Sequence, residues 1–246
     1  MILDSHCHLD RYEDAQAVAA EAARRGVFTI AVTNLPSHFR AGVPHVRRFA
    51  KVRLALGLHP LAAAEHASEL SDFEALFTTT SFVGEVGLDY SKEGRQTKAR
   101  QLESFRHVAR LIGHSPKVVS LHSRGAEDDV LAVLDRFRVK RAIFHWYSGS
   151  VTTLEDVIAA GHLLSVNPAM TRSGKGREII AQIPRTQVLS ETDGPYVRVG
   201  GVAAKPWDAA LVEQYLAKLW NVPVEQTRAQ LWSNFLGLIG DVKATT

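Results

Sequence analysis

The chain has 246 residues, 46% hydrophobic and 22% charged, with a single cysteine. That composition excludes a disulfide-stapled module and a disordered tract, and leaves a globular protein able to bury a large core. The formal charge of +3 is compatible with a polyanionic partner, and no run approaches the ~20 apolar residues that span a bilayer, so no membrane role is expected. The opening MILDSHCHLD has no basic segment followed by an apolar one, so a cytoplasmic location is expected.

Short β-rich apolar runs alternate with helix-compatible stretches along the chain. The first run spans residues 1–4 and leads into His6 and His8. Residues 14–25 have helical spacing, with Gly26 as the stop. Runs at 27–32, 52–57 and 82–86 follow, with a helix expected at 69–77. A long helix at 98–113 precedes the fifth run, 118–122. Next come a helix at 127–137, a run at 142–145, a helix at 153–160, a run at 162–166, a short helix at 176–182 and the eighth run, 188–191. Helices at 209–220 and 224–238, parted by Pro223, close the chain.

Eight strand–helix units in this length predict an α/β fold, a (β/α)8 TIM barrel filling one domain over residues 1–246. No glycine-rich phosphate loop follows the first run, which argues against an open nucleotide-binding sheet.

The unusual polar residues fall where apolar runs end. His6 and His8 mark the end of the first run, His59 of the third, Glu85 of the fourth, His122 of the fifth, His145 of the sixth and Asp193 of the eighth. In a parallel barrel those ends share one face, the face that carries active sites. His6 and His8, two apart on a strand, point the same way, whereas Cys7 points opposite and reads as a small buried apolar residue. A lone H-x-H is more often an ordinary pair of polar residues than a metal site. Here the other strand ends add imidazoles and carboxylates.

A charged Glu85 inside an apolar run is costly without a cation or partner, and its two oxygens can bridge two ions. Asp193 can ligate an ion held by His6 and His8, or take a proton from water, and Glu191 is a supporting candidate behind it. Glu85 and Asp193 are therefore the catalytic candidates. The ligand candidates are His6, His8, Glu85, His122, His145 and Asp193. Nitrogen and oxygen ligands without thiolates suit two divalent ions, Mg²⁺, Mn²⁺ or Zn²⁺, and the chemistry is hydrolysis of a phosphoester, amide, ester or lactone. Arg124, Arg172, Lys175 and Arg198 lie in loops after strands and are candidate anion contacts, with Arg124 nearest a ligand. His38, His45, His66, His107, His114 and His162 receive no ligand role. Tyr215, Trp220, Trp232 and Phe235 read as packing residues.

With those residues in place, the chain resembles the TatD family of metal-dependent deoxyribonucleases. The likeness runs through D-S-H-C-H-L-D (4–10), G-L-H-P (57–60), G-E-V-G-L-D (84–89), Gln101 with Phe105, H-S-R (122–124), F-H-W-Y-S-G (144–149), E-T-D-G-P-Y (191–196) and N-F (234–235). The resemblance implies one metal on His6, His8 and Asp193, a second on His122 and His145, and Glu85 between them. It implies hydrolysis of DNA phosphodiesters from a 3′ end of single strands, with His59 near the site and contacting substrate or water.

The segments at 165–170 and 204–208 depart from the common family pattern. With H-S-R and F-H-W-Y-S-G-S, they resemble the TatD-like branch of Qat anti-phage systems, which implies protein partners in that defence set. Two other readings stand beside the nuclease. One is a hydrolase of an amide, ester or aminoacyl-tRNA bond. The other is a non-catalytic nucleic-acid-binding subunit of a defence complex.

Overall fold

The computed structural model describes residues 1–243. Eight strands form one parallel sheet in sequential order: β1 (Ile2–Cys7), β2 (Val27–Val32), β3 (Val52–Leu58), β4 (Phe82–Gly87), β5 (Val118–His122), β6 (Ile143–His145), β7 (Leu163–Val166) and β8 (Val188–Ser190). Helices lie between them: α1 (Ala15–Arg24), α2 (Pro36–Val46), α3 (His66–Phe77), α4 (Lys98–His114), α5 (Glu127–Arg136), α6 (Val151–Ala159), α7 (Pro168–Arg172) and α8 (Gly174–Gln182). After β8 come a small antiparallel ribbon, β9 (Arg198–Val199) with β10 (Val202–Ala203), and helices α9 (Ala209–Trp220) and α10 (Val224–Lys243). The sheet curls into a nearly closed (β/α)8 barrel, as its alternating pattern predicts.

The seam between β8 and β1 is bridged one bond at a time. Ser190 Oγ donates to Leu3 O at 2.7 Å, Thr192 N–H to Asp4 Oδ1 at 2.8 Å and Asp193 N–H to His6 O at 2.9 Å. Two apolar layers hold the barrel. Outside it, side chains such as Leu56, Val83, Leu121 and Phe144 pack against Phe73, Phe105, Leu134 and Leu154 of the helices. At the end where the strands begin, Leu3, Phe82, Val118, Ile143, Leu163 and Leu189 meet Phe235 and Leu238 of α10, which plugs that mouth. Asn234 fixes the plug by donating to Val188 O and Arg185 O, both at 2.8 Å. The far mouth is left open for the strand ends.

Several boundaries differ from the pattern reading. β1 runs on to Cys7, β8 stops at Ser190, three residues before Asp193, and α10 extends beyond 238 to Lys243. α2 and α7 have no counterpart among the predicted elements. Both begin with a proline, Pro36 and Pro168, and α2 also carries Pro44 near its end. Proline breaks a helix interior but suits the first position, where no hydrogen bond is lost. Of the expected packing aromatics, Phe235 is fully buried, while Tyr215, Trp220 and Trp232 are partly buried against the core. No helix among the described residues is long and apolar enough to cross a membrane.

His162, just before β7, is buried, accepts from Ala142 N–H at 3.2 Å and packs on Phe144. Burial pushes its imidazole down to about 4. A depressed histidine pKa means the unfolded chain binds the extra proton first, so its contribution is intact above the unfolded value of ~6.5 and is lost as pH falls towards 4. In urea unfolding between about pH 7.5 and pH 5, His162→Asn should lose roughly 2 kcal/mol less stability than the wild type. Equal losses in the two proteins would show that His162 carries no such linkage.

Candidate metal centre

Side chains from β1, β4, β5, β6 and the turns after β3 and β8 converge at the open mouth. Two of the strands are bent to do it. The β1–β2 register slips between Asp4 and Cys7, around His6, and the β4–β5 register slips between Val83 and Val86, around Glu85. Such irregularities re-aim side chains next to functional sites. Gly87, at φ 136°, is required because a Cβ there would lie 2.0 Å from His122 O. Gly84 likewise leaves room for Ser120, whose Cβ would sit 3.0 Å from a Cβ at that position. The glycines of G-E-V-G-L-D thus let β4 press against β5.

Glu85 is 1% exposed and sits amid five imidazoles. Its two oxygens divide them. Oε1 meets His122 Nδ1 at 2.5 Å and His145 Nε2 at 3.0 Å. Oε2 meets His8 Nε2 at 3.2 Å, His59 Nε2 at 3.3 Å and His6 Nε2 at 3.6 Å. Asp193 Oδ1 closes the His6 and His8 side, 3.8 and 3.6 Å from their Nε2 atoms. Asp193 has a left-handed backbone, φ 48°, and its turn is tied down by Thr192, whose hydroxyl donates to the buried Asp4 at 2.7 Å. Asp89 accepts from His122 Nε2 at 2.8 Å.

The electrostatics follow from burial and crowding. Burial works to raise Glu85, but the imidazoles of His59, His145 and His122 overcome it and hold the carboxyl well below its ordinary value. Burial, then the neighbouring His145, pushes His6 down to about 3. Burial also lifts Asp193 to about 7, with Glu191 and Glu85 adding to the rise against His145 and His8. Burial works to lower His145, and Glu85 and Glu191 reverse it.

This donor set fits divalent cations. Three overlapping groups, His6–His8–Asp193, His6–Glu85–His145 and His59–Glu85–His122, each have ligand atoms within 4.8 Å of one another. His6 Nε2 and His8 Nε2 face each other at 3.2 Å. Two neutral imidazole nitrogens in that position can share only one hydrogen, so lone pairs converge where a cation would satisfy them. His8 Nδ1 is buried with no hydrogen-bond partner.

Supporting groups sit behind the ring. Ser120 Oγ meets His6 Nδ1 at 2.7 Å; with Nε2 turned into the cluster, Nδ1 is the nitrogen that donates. Glu191 lies 3.6 Å from His145 Nδ1 and accepts from Trp146 N–H and Asn167 Nδ2, both at 3.1 Å, and from Ser165 Oγ. Glu191 and Asp193, two residues apart, therefore face different partners, because β8 has ended and alternation no longer applies.

A cavity of about 680 Å³ opens over the cluster, lined among others by His59, Glu85, Asp89, Arg124, Trp146 and Tyr196. The chain matches the family described as TatD related DNase over residues 3–240. It belongs to this family. It is 31% identical over 258 residues to YcfH of Escherichia coli K12, described as an uncharacterized metal-dependent hydrolase, with 96% of this chain and 95% of YcfH covered. It is 26% identical to the human deoxyribonuclease TATDN3, over 96% of this chain and 94% of that one. The crystal structure of YjjV, a TatD homolog from Escherichia coli K12, superposes with a TM-score of 0.87 at 28% identity, covering 96% and 97% of the two chains.

This TatD-family chain is a metal-dependent hydrolase, and its candidate ligands His8, Glu85, His122, His145 and Asp193 line one cavity, with His6 fully buried against them. His59 stands within the ring around Glu85 and also lines the cavity. Of the four loop cations, Arg124 lines the cavity. Arg172, Lys175 and Arg198 donate instead to the carbonyls of Arg198, Ser148 and Gly201. Among the described residues, none of the six histidines set aside falls in a candidate metal group. Asp4, Asp89, Ser120 and Trp146 carried no role in the sequence reading. The signal for Ser120 was a hydroxyl two residues before His122 on an otherwise apolar strand.

Partners that fix the ring orientation of a metal-binding histidine are worth about 10- to 100-fold in affinity. Ser120→Ala should weaken Mn²⁺ binding by that range in titration calorimetry. Unchanged affinity would mean that something other than Ser120 orients His6.

Proposed function

We propose that the chain is a deoxyribonuclease that works on single-stranded DNA from its 3′ end, using two divalent cations, Mg²⁺, Mn²⁺ or Zn²⁺. The observation that carries this reading is the division of labour at Glu85, with His6 and His8 on one oxygen and His122 and His145 on the other. In this reading His6, His8 and Asp193 would hold one ion and His122 and His145 the second, with Glu85 serving both. The name of the human relative, a deoxyribonuclease, supports DNA as the substrate. When bound, a cation pair acidifies water and polarises the oxygens of a phosphoryl group.

The protein's own groups do the rest. Asp193, at the edge of the cavity, accepts the proton of the attacking water on its carboxylate. Arg124 is exposed at the rim and binds a phosphate oxygen with its planar fork of donors. His59 faces both Glu85 and the cavity and contacts the substrate or the water. Glu191 steadies His145 from behind. Residues 1–246 work as one domain, in the cytoplasm. The H-S-R and F-H-W-Y-S-G-S segments, with the departures at 165–170 and 204–208, support a role beside other proteins of an anti-phage system.

With Mn²⁺ or Mg²⁺, the purified protein should shorten single-stranded DNA from the 3′ end. Chelation, His6→Ala and Glu85→Ala should each lower the rate at least about 100-fold. Wild-type rates in both variants contradict the reading. Turnover of an ester or amide with none of DNA keeps the centre and changes the substrate.

A further inference from the structure

Among the described residues, two aromatic side chains are exposed, Trp146 at 38% and Tyr196 at 57%. Both line the cavity over the cluster. Every other phenylalanine, tyrosine and tryptophan is buried or half-buried. Exposed rings are ordinary when scattered, but this pair is confined to one polar mouth, which needs an explanation.

Both rings are held where they stand. Trp146 follows His145 directly and has a left-handed backbone, φ 38°, uncommon for so bulky a residue. Its N–H donates to Glu191 Oε1 at 3.1 Å, which fixes that conformation. Tyr196 ends the E-T-D-G-P-Y turn, and its ring lies edge-on to His8, 5.0 Å between centroids. Each aromatic is thus anchored to the cluster through a neighbouring histidine or carboxylate. Backbone strain at an exposed tryptophan, beside a proposed ligand, is the kind retained at functional positions.

We infer that Trp146 and Tyr196 are stacking surfaces for the base of an unpaired nucleotide entering the cavity, so that the site selects strand ends with free bases over paired ones. The inference rests on the nuclease reading and adds the residues that carry its preference for single strands. Flat rings bind base faces without regard to sequence, and a base within a duplex has both faces covered by its neighbours. Arg124 on the same rim supplies the charge that a phosphate next to the stacked base needs. The rings are specificity residues that do not touch the reacting phosphate.

The test is equilibrium binding of two decathymidylate strands with phosphorothioate linkages, one ending in thymidine and one in an abasic residue. The metal-loaded wild type should bind the base-bearing strand about 10- to 100-fold more tightly. Trp146→Ala and Tyr196→Ala should each shrink that ratio at least about five-fold, while Trp146→Phe and Tyr196→Phe keep it. The inference is overturned if the alanine variants keep the wild-type ratio, or if phenylalanine loses as much as alanine. Discrimination without cleavage of ordinary DNA would overturn the nuclease reading and leave the stacking surfaces in place.

Discussion

An ionised carboxylate buried in an apolar barrel costs several kcal/mol, of the order of the whole stability margin of a protein, unless positive charge surrounds it. Glu85 lies in that position, 1% exposed at the end of β4. Its ring of imidazoles can compensate by holding protons or by holding cations between themselves and the carboxylate. For a metal-dependent hydrolase we propose the second arrangement. The other polar groups at the mouth answer to that requirement. Asp4 and Thr192 brace Asp193, Ser120 sets the His6 ring, and Glu191 backs His145.

The barrel makes the convergence inexpensive. Parallel strands deliver their last residues to one rim, while α10 fills the opposite mouth with Phe235 and Leu238. Stability and chemistry therefore occupy opposite ends of the strands, a separation general to this architecture. The register slips in β1 and β4 and the glycines at 84 and 87 are local departures that turn side chains inward at the rim.

Much of this was legible in the sequence because both signals are local. Strand-length apolar runs flanked by helical spacing located β2 and β5 to the residue, and the polar residue closing each run marked the rim. The missing parts were nonlocal or masked. α2 and α7 were hidden by prolines that sit where a helix tolerates them. The environment of Glu191 depends on where β8 stops, a matter of seam contacts with β1 that no alternation pattern encodes. Asp89 gained its part only because β4 and β5 press close enough for it to accept from His122. Surface charge was the least informative signal. Arg172, Lys175 and Arg198 each place one donor on a backbone carbonyl, a contact that sequence position does not foretell.

We propose that Glu85 stands between two cations. Crystals soaked in Mn²⁺ and measured at the manganese absorption edge test it most directly. Two anomalous peaks are expected, one among His6, His8 and Asp193 and one beside His122 and His145, each within bonding distance of a different oxygen of Glu85. A single peak, or peaks remote from that carboxylate, would contradict the account.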